Sequence, residues 1–89
     1  MIPYTVIKYQ IDLWDPLCLL SMHAPSDEYC GEVKIIFNEI NNLIKNQEKI
    51  NSISLAKIIY ETFQKSFGND LFKYDKSDCK RIADKILNM

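Results

Sequence analysis

Eighty-nine residues with 47% hydrophobic content suit one globular domain over residues 1–89 and argue against a disordered chain. Two glycines and three prolines leave little material for a hairpin-rich β fold. A net charge of −1, from eleven basic and twelve acidic residues, carries no global bias towards nucleic acid or an anionic membrane.

Pro3 suits the first turn of a helix, where a missing N–H costs nothing. Tyr4, Ile7, Ile11 and Trp14 follow at steps of three and four on one helical face, which Val6 and Leu13 widen. Pro16 biases Asp15 away from the α region, so this helix is expected to stop there. Residues 15–28 then read as a connector with an apolar middle, Leu17 to Leu20, and a turn at Ala24-Pro25-Ser26-Asp27. Ser26 or Asp27 is the expected cap of the second helix, because a short side-chain oxygen accepts from a free first-turn N–H.

Tyr29, Val33, Ile36, Phe37, Ile40, Leu43 and Ile44 repeat at helical steps, with Glu28 and Glu32 near the start and Lys45 near the end, as the helix dipole favours. Asn46 to Asn51 is a polar loop. Ser54 is the expected cap of a third helix, with Ile53 and Ile58 as a hydrophobic staple, and Leu55, Ile59, Phe63 and Phe67 as its stripe. Gly68 is placed to close that helix in a left-handed conformation. Leu71, Phe72 and Tyr74 read as an inward-packing connector, and Ser77 and Asp78 open a last helix with Cys79, Ile82, Ala83, Ile86 and Leu87 on one stripe. The expected fold is all-α, a compact bundle of about four helices with an apolar connector between the first two.

Three cysteines, Cys18, Cys30 and Cys79, are an odd set without a CxxC pair, which argues against a disulfide framework or a zinc site. His23 is the only histidine and has no nucleophile at a recognisable spacing. Gly31 and Gly68 form no phosphate loop. No enzyme, no cofactor and no metal is expected. The start of the chain lacks the basic and apolar regions of a signal peptide, and no segment approaches the ~20 apolar residues of a membrane span, so the expected location is the cytoplasm.

Charge is uneven along the chain. Residues 1–32 hold Asp12, Asp15, Asp27, Glu28 and Glu32 against Lys8 alone, while residues 33–89 hold ten bases and seven acids. One reading is ordinary solvated surface; the other is an acidic face for a basic partner, since complementary fields steer association. Lys73, Lys76, Lys80, Arg81 and Lys85 gather near the C-terminus, but Asp70, Asp75, Asp78 and Asp84 intersperse them, whereas phosphate binding wants uncompensated charge.

The segment Trp14-Asp15-Pro16-Leu17, then Leu19-Leu20, then Ala24-Pro25-x-Asp27-Glu28-Tyr29 resembles the Trp-Asp-Pro-(Ile/Leu)-Gly-Leu … Pro-x-Asp-Glu-Tyr signature of a family of short bacterial helical proteins. Versions of that signature occur in immunity proteins encoded beside polymorphic toxins. Phe67-Gly68 and Cys79-x-x-x-Ala83 are compatible with it, while Cys18 stands where the family tends to show Gly and Cys30 where it often shows Asp. The resemblance implies an immunity protein that binds a co-encoded toxin, with a nuclease of contact-dependent growth inhibition as the expected target, and occludes it without chemistry. Its contact residues would be Asp15, Asp27, Glu28, Tyr29 and Glu32, with Asp12 at the rim. The same motif residues also admit a purely architectural role, with Trp14 in the core and the acids as caps. The alternative function is a small nucleic-acid-binding or regulatory protein using the basic C-terminal segment.

Overall fold

A computed structural model describes residues 2–17 and 29–88, with only the backbone of Asn69 and Asp70. Four helices are present: α1 (Tyr4–Trp14), α2 (Cys30–Lys45), α3 (Ser52–Leu71) and α4 (Lys76–Leu87). Each packs on two neighbours, α1 on α2 and α4, and α3 on α2 and α4, so the helices close a ring. The diagonal is bridged by side chains, as where the Trp14 and Phe63 rings meet edge to face at 5.9 Å. The expected all-α bundle is the observed architecture.

The helical stripes read from the sequence form one core. Ile7 and Ile11 of α1, Val33, Ile36 and Ile40 of α2, Leu55, Ile59 and Phe63 of α3, and Cys79, Ile82, Ala83 and Ile86 of α4 are all buried. Phe63 is its aromatic centre, stacked on Phe72 at 5.3 Å and Phe67 at 5.9 Å, with Tyr29 edge-on at 6.0 Å. Two positions read as core are not. Leu13 is 65% exposed, because periodicity gives a residue's angle on its helix but not how far the neighbouring helix reaches, and Leu71, expected in a connector, is the last residue of α3 and 64% exposed.

Helix ends depart from expectation by local chemistry. Asn51, not Ser54, caps α3, accepting the Ser54 N–H on its side-chain oxygen at 2.8 Å. The staple positions then fall to Ile50 and Leu55, both in the core cluster, and Ile53 is left exposed. α4 starts earlier than Ser77: Asp75 accepts the Asp78 N–H at 3.0 Å while Asp78 accepts the Asp75 N–H at 3.2 Å. That reciprocal pair is a capping box. The Asp78 N–H holds the Asp75 carboxyl below its ordinary value of 3.8. A depressed folded value favours folding above the unfolded value, and the contribution is lost as pH falls through the folded one.

Gly68 has the expected positive φ, but with φ 76° and ψ 173° it is not left-handed helical; it kinks α3, and one further turn follows before Phe72 donates its N–H to the Gly68 carbonyl. This backbone region is open essentially to glycine alone. A Cβ would meet no atom within 4 Å, so the obstacle to substitution is conformation rather than space. Gly68→Ala is expected to cost about 1–3 kcal/mol in urea unfolding, and no measurable change would remove the strain argument.

Candidate partner-binding site

The site begins where α1 ends. Asp15 caps the C-terminus of α1 in a left-handed conformation, φ 47° and ψ 61°, with its N–H bonded to the Ile11 carbonyl. An aspartate tolerates that region better than a bulky residue, and Pro16 ends the helix there. The Asp15 side chain is buried. The Tyr29 hydroxyl donates to its Oδ1 at 2.6 Å and accepts the Leu17 N–H at 3.1 Å. Tyr29 is fully buried and occupies the N-cap position of α2, where no side-chain cap is made. One phenol therefore ties the end of α1 to the start of α2, and residues 18–28 leave and return at this clamp.

The structure places two of the expected contact residues inside the fold. Asp15 and Tyr29 are brought together, but inside the fold, so they do not offer their side chains to a partner in this conformation. Their physical role is to hold the connector's two ends. Trp14 contributes in the same way, its ring meeting Phe63, Phe72 and Tyr74 at 5.9, 6.0 and 5.1 Å. Asp27 and Glu28, and the caps, Cys18 and His23 considered with them, lie outside the described residues. Asp27 and Glu28 immediately precede Tyr29 in the chain.

Asp12 sits on the flank of α1 that faces α2. Its Oδ2 pairs with the Lys8 ammonium one turn back, and its buried Oδ1 has no hydrogen-bond partner. The Lys8–Asp12 hydrogen bond raises the Lys8 pKa above its usual value. The nearby Tyr4 phenol is raised chiefly by its hydrogen bond with Cys30, and then by burial. Tyr4, Lys8, Asp12 and Cys30 thus form one cluster beside the α2 N-terminus. Glu32 is half-buried in the first turn of α2, away from the Asp15–Tyr29 pair in role but close in sequence.

The chemistry of catalysis is sparse among the described residues. No group of His, Cys, Asp and Glu side chains there could hold a metal ion. Cys79 is buried, and desolvation pushes its thiol up to about 12, which keeps it a protonated, unreactive packing group near neutral pH. The groove between α2 and α3, about 360 Å³, is lined by Ile35, Glu39, Glu61, Thr62, Lys65 and Ser66. Its two carboxylates are exposed rather than held in the dry surroundings that tune catalytic acids, and the Thr62 hydroxyl is committed to the Ile58 carbonyl at 2.7 Å.

Two of the C-terminal cations pair along α4, and a third lies over a ring of α3. Lys80 pairs with Asp84 at 3.5 Å, Arg81 with Asp78 at 3.3 Å, and the Lys76 ammonium lies 5.7 Å from the centre of the Tyr60 ring. Sequence reasoning missed Lys57, which joins Lys76, Lys80, Ser77 and the exposed Ile53 around a groove of about 250 Å³ between α3 and α4. The sequence carries no local signal for it, since Lys57 and Lys80 meet only through the packing of two helices. No described helix is long and apolar enough to cross a membrane. Compared with protein families, with curated proteins and with solved structures, the chain matches none.

Proposed function

We propose that this chain is an immunity protein of the cytoplasm: it binds a co-encoded antibacterial toxin, most plainly a nuclease of contact-dependent growth inhibition, and occludes the toxin's active or substrate-binding site. It performs no chemistry of its own. The observation that carries the reading is the Tyr29–Asp15–Leu17 clamp, formed by the residues that resemble the immunity-protein signature. On this account the clamp anchors the connector at both ends, and a binding segment with fixed ends loses less conformational freedom on association. Asp27 and Glu28 supply the primary acidic contacts, Asp12 and Glu32 flank them, and Asp15 and Tyr29 position them. An acidic segment suits a nuclease, whose substrate site is basic, because complementary charge steers the encounter.

The test is Asp27→Lys combined with Glu28→Lys, titrated calorimetrically against the toxin domain encoded upstream. Loss of two interfacial charge contacts should weaken binding by at least about 2–5 kcal/mol with unchanged helicity. Unaltered affinity would remove the acidic segment from the interface.

One observation favours a second reading, a nucleic-acid-binding or regulatory protein. Lys57, Lys76 and Lys80 line one groove with no carboxylate among its described lining residues. Three phosphate contacts there would give a salt slope of about −2.7 for duplex DNA, abolished by neutralising the three lysines.

A further inference from the structure

The opposite flank of α1 has a character that the acidic segment does not explain. Gln10, Leu13 and Trp14 of α1 and Arg81, Ile82 and Lys85 of α4 line a groove of about 150 Å³. One bank is apolar. Leu13 is 65% exposed and Tyr9, one turn earlier on the same side, is 57% exposed. Residues four apart on a helix are neighbours, so the two form a continuous strip. The other bank is cationic, with Arg81 and Lys85 likewise four apart and both exposed. The floor is the half-buried Trp14 and the buried Ile82.

Among the described residues, no carboxylate lines this groove. The pairing of Arg81 with Asp78 is a surface contact at 3.3 Å, the kind that contributes little and yields readily to a better partner. Tyrosine, tryptophan and arginine are the residues that dominate binding energy at interfaces; here Trp14 and Arg81 line the cleft, and Tyr9 stands one helical turn from Leu13 beside it.

We infer that the α1–α4 groove is a docking site for an acidic amphipathic helix of a partner protein. Such a helix lays leucine-like side chains at i, i+4 and i+7 against Tyr9, Leu13 and the Trp14 floor, and sets Asp or Glu side chains against Arg81 and Lys85. Charge complementarity selects the acid, and the exposed apolar strip selects a protein. A nucleic acid would satisfy the cations but leave Tyr9 and Leu13 without an apolar partner. A second copy of this chain is a poorer occupant. The exposed Ile35 of α2 shares its groove with Glu39 and Glu61, but Lys65 lies in the same groove and the like-charged Lys34 stands beside Ile35 in the helix. A contact between α2 of one copy and this groove of another would also be head-to-tail, which builds open chains rather than a closed dimer. The inference stands apart from the acidic-segment reading, since it uses the other flank of α1 and the opposite charge.

The test uses the full chain, isotope-labelled, titrated with a synthetic amphipathic helix of about 18 residues, roughly five turns, carrying Leu on one face and Glu beside it. A second peptide has every Glu replaced by Lys. The expected result is saturable 1:1 binding of the Glu peptide, with amide shifts confined to residues around Tyr9, Leu13, Arg81 and Lys85 and to the Trp14 indole N–H. Leu13→Lys and Arg81→Glu, both exposed, should each weaken it about tenfold, a 1.4 kcal/mol effect, with thermal midpoints unchanged. Failure to saturate, shifts centred elsewhere, or equal binding of the Lys peptide would overturn the inference. So would displacement of the peptide by duplex DNA, or self-association of the free chain that Leu13→Lys abolishes.

Discussion

Phe63→Ala is expected to lower stability by about 3–5 kcal/mol, the cost of removing a fully buried phenylalanine and leaving a cavity. For this chain that is a large share of the available stability, since about 0.05–0.15 kcal/mol per residue gives roughly 4–13 kcal/mol in all. The effect should be large because Phe63 touches Trp14, Tyr29, Phe67 and Phe72, which arrive from α1, the start of α2, α3 itself and the connector before α4. No single side-chain shift refills such a hub. At ~4–8 °C per kcal/mol for a domain of this size, the thermal midpoint should fall by about 12–40 °C. Circular dichroism during heating and in urea measures it; a loss below about 1.5 kcal/mol would mean that the aromatic cluster does not hold the four helices together.

Tyr29→Phe isolates the clamp. The ring and its packing on Phe63 are kept, while the hydroxyl that donates to Asp15 and accepts from Leu17 is removed. A hydrogen bond to a charged group is worth about 1.5–3 kcal/mol, and a buried carboxylate that loses a donor carries a desolvation penalty. The expected loss is about 2–3 kcal/mol. A local signature accompanies it: the Leu17 amide should exchange its hydrogen faster relative to the α3 core amides than in the parent chain. Crossing Tyr29→Phe with Asp15→Asn should give a coupling of about 0.5–3 kcal/mol, as for residues in one network. Additive effects would show that the two groups lie close without acting together.

Much of this fold can be read directly from residue spacing. The stripes Val33–Ile36–Ile40 and Cys79–Ile82–Ala83–Ile86 specify both the helices and their buried faces, because a helix must hide its apolar side. What spacing does not report is which competing cap wins. Ser54 and Asn51 both satisfy the rule for a cap, and a choice between positions three apart sets where α3 begins. At Gly68 the residue type announces a positive φ but not the ψ that turns a helix stop into a kink.

The site is less legible than the fold for the same reason. Asp15 and Tyr29 stand out as a motif, yet their contact spans 14 residues of chain and is a product of tertiary packing. An acid and a tyrosine in a conserved-looking signature suggest a contact surface, whereas a buried carboxylate bonded to a buried phenol is a structural joint. The groove between α1 and α4 is invisible in the sequence, because Leu13 reads as core and Arg81 as one charge in a mixed run.

The central claim is that this chain acts by binding a protein and occluding it. The most direct measurement is light scattering coupled to size exclusion, with the chain mixed with the toxin domain that the proposed function requires to be encoded beside it, at low and moderate salt. The account predicts a stable 1:1 complex at both salt concentrations, in which the toxin domain's nuclease activity is lost. Two separate peaks under both conditions, with the toxin domain fully active, would contradict it.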